Sequence, residues 1–434
     1  MGDFFGTDGI RGIVNKNLNF DIAFNCGNAL GQMKSSAKIL IGTDTRKSGD
    51  YLKTALVSGA VCAGADVCDV GIITTPGVSY LTKLLGYDYG VMITASHNPP
   101  EYNGIKIFDE EGLKLGEARE NNLENLFKST KKEDYKNLGN FKQKFNLSSR
   151  YEDFLIKSCK TSLKGLKIVL DLSNGASCRL APKVFKRLGA NVRVLNAKHD
   201  GVSINKNCGA LFVEGLKNEV LRLRADAGFA YDGDADRIIA IDEKGNILNG
   251  DSILWVLARY WCKTDKVVIT SNSNLALDEE LLKINIKTVR TDVGDKFVLE
   301  KMIEDDISLG GEQSGHIILK ELMSGGDGIL ASIQLASILV KTKARLSSLA
   351  KIDFYPQLCA DIIVKNKHTV MKMVQATLVE EQEKIKGKGR IVLRASGTEE
   401  KIRILVESKD EKKAKDAIQK LSKAVLNAGE LCVE

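Results

Sequence analysis

Asp232, Asp234 and Asp236, spaced two apart and followed at once by Arg237, are the densest concentration of potential chemistry in the 434-residue chain. They fall between the apolar runs 227–231 and 238–241, which places them on a loop between two strands. In extended backbone, residues at i, i+2 and i+4 point the same way, so the three carboxylates converge and repel one another unless a hard cation sits among them. Magnesium suits such a set. Three carboxylate oxygens leave room for a phosphate oxygen and water, and the ion spreads the charge that builds up during phosphoryl transfer. Arg237 is then expected to face a phosphate oxygen. An acidic hairpin turn is the plain structural reading of the same residues. An EF-hand is excluded, because no glutamate follows at the required place and strands flank the loop.

Three further segments carry donors, acceptors or nucleophiles. Thr94-Ala95-Ser96-His97-Asn98-Pro99 follows the apolar run 90–93, so Ser96 is expected on a loop beyond the carboxyl end of a strand, presented rather than buried. Ordinary turn chemistry would use the same residues. A Ser-His hydrolase is disfavoured, because adjacent residues rarely aim the imidazole at the hydroxyl and no Gly-x-Ser-x-Gly elbow surrounds Ser96. Gly310-Gly311-Glu312-Gln313-Ser314-Gly315-His316 reads as a Gly-rich loop between two strands. Its Glu312 and Ser314 can bind sugar hydroxyls, and His316 can hydrogen-bond or shuttle protons, although a plain hairpin with a satisfied histidine fits as well. Arg394-Ala395-Ser396-Gly397-Thr398-Glu399 follows strand-like residues 391–393. The Arg394 guanidinium, the Ser396 and Thr398 hydroxyls and the Gly397 amide are all donors and could cradle a phosphate, with Arg403 adding a second charge. A polar turn after an edge strand is the alternative.

The elements that must position these loops alternate strand with helix. Apolar runs at 39–42, 168–172 and 267–269 are each followed by an amphipathic stretch, at 48–63, 176–188 and 275–284. The pattern predicts an α/β protein: three related α/β domains with mixed sheets, plus a smaller α+β C-terminal domain. The expected boundaries are 1–145, 150–243, 246–350 and 358–434, with polar connections at 128–150 and 242–250. The last domain closes with a helix over 411–427, whose Ala414, Ile418, Leu421 and Val425 share one face.

Composition removes several classes. Hydrophobic residues at 43% and charged residues at 27% are ordinary for a globular protein, and a net charge of +7 scattered along the chain argues against nucleic acid. The longest apolar segment, 328–340, is interrupted by Ser332, Gln334 and Ser337, so it reads as a buried helix and not as a membrane span. No secretory pattern follows Met1, and the nine cysteines include no Cys-x-x-Cys pair, so a cytoplasmic location without structural zinc or disulfides is expected.

With these four segments in this order, and with Phe5-Gly6-Thr7-Asp8-Gly9-Ile10-Arg11-Gly12 at the start, the chain resembles the α-D-phosphohexomutase superfamily along nearly its whole length. The resemblance implies that Ser96 carries a phosphate, with Asp232, Asp234 and Asp236 holding Mg²⁺ beside it. It implies that Lys106, in Asn103-Gly104-Ile105-Lys106, transfers protons, with His316 the alternative for that task, and that Arg11 and His97 support the phosphoryl group. It further implies a hexose 1,6-bisphosphate intermediate and activator, and a kinase or bisphosphate donor that first loads Ser96. Residues 311–316, 289–295 and 200–205, with Cys208-Gly209, point to the branch acting on hexosamine phosphates, specifically glucosamine 6-phosphate and glucosamine 1-phosphate on the route to UDP-N-acetylglucosamine. A glucose or mannose phosphomutase on the same scaffold is the alternative. A non-catalytic sugar-phosphate binder is disfavoured by the joint presence of Ser96, Lys106 and the three aspartates. The chain departs from that branch at Ser203, Ala210, Ala395 and Glu400, where Asn, Ser, Pro and Pro are usual. None removes a donor from the phosphate cradle, but Glu400 adds a negative charge that would weaken binding if it pointed inward.

Overall fold

The computed structural model describes residues 6, 9–261, 264–396 and 400–431. The chain forms two compact units, one of residues 1–268 with 294–351 and one of 269–293 with 352–434.

The first unit opens with a six-stranded mixed sheet in the order Ile10–Ile13, Tyr102–Phe108, Tyr89–Ile93, Lys38–Thr43, Asp66–Ile72, Phe141–Gln143. Tyr89–Ile93 and its neighbour Lys38–Thr43 run parallel and are almost wholly buried, as their continuous apolar runs require. Helices Phe20–Met33 and Gly49–Cys62 approach through reciprocal glycines. A Cβ on Gly27 would lie 1.9 Å from Leu56 O, and one on Gly59 2.0 Å from Phe24 O. Their contact and the sheet enclose a core that includes Ile39, Ile41, Leu52, Leu56, Val91 and Ile93.

A five-stranded mixed sheet follows, in the order Ile247–Leu248, Ile238–Asp242, Ala227–Tyr231, Lys167–Asp171, Asn191–Leu195. Its Ala227–Tyr231 and Ile238–Asp242 strands are antiparallel and lead into and out of the aspartate loop. Leu309–Gly311 and Ile317–Leu319 form a second hairpin around residues 312–316. The apolar segment beginning at residue 328 is the helix Gly328–Thr342, capped by Asp327, whose carboxylate accepts from Leu330 N at 2.9 Å.

Each of the two stretches read as connections also lends a short strand to a sheet. Within 128–150, Phe141–Gln143 pairs with Asp66–Ile72, and within 242–250, Ile247–Leu248 returns on Ile238–Asp242. The first strand is exposed at all three residues, and no apolar alternation marks it.

The second unit contains an antiparallel three-stranded sheet in the order Gln357–Ile363, Lys401–Ser408, Gly389–Ala395. Helices Gln375–Ile385 and Glu411–Leu431 contribute Leu378, Ile385, Leu421 and Val425 to its core, with Ile402, Ile404 and Val406 from the central strand. Glu407, fully buried, accepts from Arg390 Nε at 2.6 Å and from Leu275 N at 2.9 Å.

Candidate active site

Ser96 follows the buried strand Tyr89–Ile93 by three residues and has a φ of +51°. Its Oγ donates to Asp232 Oδ2 at 2.6 Å and lies 3.2 Å from His97 Nδ1. Ser96 is 1% exposed, so the expectation of a presented hydroxyl is corrected. The aspartate loop, from a different sheet, is laid directly over it: a Cβ on Gly233 would sit 2.6 Å from Ser96 O.

The aspartates converge by another route than strand alternation. Residues 233–236 form a turn and bend, with Ala235 at a φ of +60°. Asp232, Asp234 and Asp236 each offer a carboxylate oxygen, all within 4.8 Å of one another, and all three are buried. Burial, and then the charges of Asp236 and Asp234, push the Asp232 carboxyl well above the usual range. Asp234 Oδ1 is buried and has no hydrogen-bond partner. Oxygen-only donors, mutual repulsion and an orphaned carboxylate oxygen all fit a hard divalent cation.

Neighbouring elements already supply part of the compensating positive charge. Lys106, from the strand Tyr102–Phe108, is 1% exposed and puts its Nζ 2.8 Å from both Asp234 Oδ2 and Asp236 Oδ2. The helix Thr75–Leu85 points its amino end at the loop: Thr75 N donates to Asp234 O at 3.0 Å, and Thr75 Oγ1 donates to Asp234 Oδ2. Arg237 N donates to Asp232 Oδ1 at 3.2 Å, and its side chain is 4.0 Å from Asp236 Oδ1. Burial, followed by the charges of Arg237 and Arg11, pushes His97 down to about 4, so at neutral pH this imidazole contributes a hydrogen bond and no charge. Arg11 thus lies close enough to act on His97 electrostatically.

His316 is buried, with Nδ1 3.9 Å from Asp236 Oδ1 and Nε2 3.4 Å from Asp295 Oδ2. Asp295 in turn pairs with Lys114 at 2.6 Å. His316, Asp236 and Asp295 border a cavity of about 270 Å³. Glu312 Oε1 accepts from Gly294 N at 2.9 Å, and Oε2 accepts from the exposed Ser314 hydroxyl at 3.2 Å.

In the second unit, Arg394 lies within the strand Gly389–Ala395 and directly opposite Arg403. Like charges in register destabilise a sheet unless an anion joins them. Asp361, opposite Arg403 on the other side, comes within 3.8 Å of it. Ser396 N donates to Lys401 O at 2.9 Å, and Ser396 O accepts from Lys367 Nζ at 2.8 Å. Gly397 and Thr398 lie outside the described residues. Glu400 is exposed and 3.8 Å from Lys367 Nζ. Among residues that sequence reasoning missed, Thr75 and Lys114 lie in no recognisable motif, whereas Asp295 closes the noted segment 289–295.

A serine hydroxyl on an aspartate cluster, flanked by a lysine and two arginines, is the apparatus of metal-assisted phosphoryl transfer. Residues 2–134, 149–245 and 249–355 match alpha/beta/alpha domains I, II and III of phosphoglucomutase/phosphomannomutase, and residues 361–424 match its C-terminal domain. The chain belongs to this family, and is an isomerase of the phosphohexomutase class. Its similarity is more particular than that. The phosphoglucosamine mutase of Caldicellulosiruptor bescii is 42% identical over 98% of this chain and 99% of its own. That of Clostridioides difficile is 41% identical over 98% and 99%. A Burkholderia thailandensis phosphoglucomutase/phosphomannomutase family structure shares the fold with a TM-score of 0.83 at 23% identity, covering 96% of this chain and 97% of that one. An Aspergillus fumigatus N-acetylphosphoglucosamine mutase, solved with GlcNAc-6P and magnesium, gives 0.68 at 19%, covering 99% and 96%. Among the described residues no helix is long and apolar enough to cross a membrane.

Proposed function

We propose that the protein interconverts glucosamine 6-phosphate and glucosamine 1-phosphate through phosphorylated Ser96 and a glucosamine 1,6-bisphosphate intermediate. The observation that carries the mechanism is the Ser96 hydroxyl held 2.6 Å from Asp232 within a three-aspartate cluster. The substrate assignment rests on curated relatives named phosphoglucosamine mutase at 40–42% identity over nearly the full chain.

In the forward direction the phosphorus–Oγ bond of phosphoserine 96 breaks as the free hydroxyl oxygen of the sugar monophosphate bonds to phosphorus. The hydroxyl proton passes to a basic group, for which His316 and, once it has given up its own proton, Lys106 are the candidates. Asp232, Asp234 and Asp236 would hold Mg²⁺, which when bound would offset the negative charge of the transferring group. Arg11, Arg237 and His97 position the phosphoryl oxygens. Arg394, Ser396, Gly397, Thr398 and Arg403 bind the phosphate that does not react, and Glu312 and Ser314 bind the sugar. The bisphosphate then turns end for end and returns its original phosphate to Ser96. A kinase or a hexose 1,6-bisphosphate first loads the serine, and the reaction runs in the cytoplasm.

Ser96→Ala tests this reading. The variant should keep the wild-type circular dichroism spectrum, take up no phosphate from glucose 1,6-bisphosphate by intact mass, and lose turnover. Full activity in that variant would refute the phosphoserine relay.

A further inference from the structure

Residues 200–205 mark the amino-sugar branch by their wording, yet the mechanism above gives them no task. The structure gives one to the last of them. Asn205 Nδ2 donates to the carbonyl oxygens of Ser96, at 2.7 Å, and of Asn98, at 2.9 Å. Both partners only accept, so the amide nitrogen must face the loop. The backbone N of Asn205 donates to Ser173 O at 2.9 Å, just beyond the strand Lys167–Asp171. That strand pairs in parallel with Ala227–Tyr231, which leads into the aspartates. One side chain, anchored to the sheet that carries the aspartates, therefore grips the carbonyl of the serine on the neighbouring sheet.

Arg46 grips the same loop. It is 3% exposed, and its Nη2 donates to Ser96 O at 3.0 Å and to Asn98 O at 2.8 Å. Its Nη1 donates to Pro99 O and to Tyr102 O, and its Nε bonds Asp44 Oδ2 at 3.0 Å. The same Asp44 oxygen accepts from Thr94 Oγ1 at 2.7 Å, and Thr94 Oγ1 accepts from Ser96 N at 3.0 Å. Ser96 is thus fixed at both its N–H and its carbonyl, as a non-glycine residue at positive φ requires. Arg46 fixes the loop within its own sheet, whereas Asn205 ties it to the other one.

We infer that Asn205 is a positioning residue for phosphoryl transfer, holding the Ser96 loop in register with the aspartate loop. The inference rests on the phosphoserine reading. Transfer depends on alignment between a serine from one sheet and carboxylates from another, and a displacement of about 1 Å can cost on the order of a hundredfold in rate.

The test must separate the lost amide from backbone strain, because Asn205 itself has a φ of +57°. Asn205→Gly keeps that conformation accessible, and Asn205→Asp keeps the shape while removing both donors. Each variant is expected to lower kcat by roughly ten- to a hundredfold, with KM for glucosamine 6-phosphate changed by no more than about twofold. After loading from glucose 1,6-bisphosphate, the ³¹P resonance of phosphoserine 96 should shift or broaden in both. An unchanged kcat in both variants would overturn the inference, as would a raised KM with kcat preserved, which would mark a ligand-binding residue. A wild-type protein inactive on glucosamine, glucose and mannose 6-phosphates would instead count against the mutase reading. The ³¹P comparison then decides the positioning role, and identical resonances in wild type and variants would overturn it.

Discussion

Lys106→Met removes one positive charge from a buried site that holds three carboxylates. Lys106 Nζ is 2.8 Å from oxygens of both Asp234 and Asp236, and its side chain is 1% exposed. At an effective dielectric of about 20, each contact has a Coulomb energy of roughly 6 kcal/mol, most of it offset by the desolvation of the ions. Truncating one member of such a network costs about 3–5 kcal/mol, chiefly because the remaining carboxylates stay buried without compensation. For the unit of residues 1–268 with 294–351, at about 2.1 cal/mol/K of unfolding entropy per residue, that corresponds to a fall in Tm of roughly 4–7 °C. Magnesium supplies the missing charge, so the deficit should shrink when it is added. The same loss of repulsion should tighten Mg²⁺ binding by roughly tenfold or more, about 1.4 kcal/mol. Calorimetric melting of wild type and variant, in EDTA and in Mg²⁺, together with titration calorimetry of the ion, measures each quantity. An equal loss of Tm in both conditions, or weaker Mg²⁺ binding by the variant, would refute the electrostatic reasoning.

Two other perturbations have expected outcomes. Arg394→Ala takes away one of two guanidinium groups opposed in register, and charge-assisted hydrogen bonds contribute about 1.5–3 kcal/mol, so KM for the sugar phosphate should rise roughly ten- to a hundredfold. A preserved KM in steady-state assays would remove Arg394 from the phosphate cradle. Asp327, buried and accepting from Tyr151 Oη at 2.6 Å, is pushed by burial up to about 6. The folded protein therefore holds that proton more tightly than the unfolded chain does. The stability this contributes is complete below pH ~4 and is lost as the pH rises through ~6, amounting to roughly 3 kcal/mol for a shift of about two units. Asp327→Asn should consequently gain stability over wild type between pH 4 and 7. Parallel denaturation profiles for the two proteins would contradict this.

The placement of Ser96 and the aspartates was legible because both follow short apolar runs, and a strand so marked delivers its loop at a sheet end. What the linear pattern does not hold is how one sheet's loop lies on another's. Ser96 reads as a presented turn residue and is buried, because the close approach at Gly233 brings the aspartate turn onto its carbonyl. Asp232 to Asp236 converge through a bend with Ala235 at positive φ, which the i, i+2, i+4 spacing does not suggest. Phe141–Gln143 is a strand exposed at all three residues, so its composition reads as a connection. Arg46 and Asn205 sit about 50 and 109 residues from Ser96, and only folding makes them its neighbours.

Turnover of the purified, Ser96-phosphorylated protein in Mg²⁺ tests the central claim most directly, with glucosamine, glucose and mannose 6-phosphates offered separately and the 1-phosphate product followed. The account predicts a strong preference for glucosamine 6-phosphate and loss of turnover in EDTA. A preference for glucose or mannose would contradict the substrate assignment, and no turnover on any of the three would contradict the mutase reading itself.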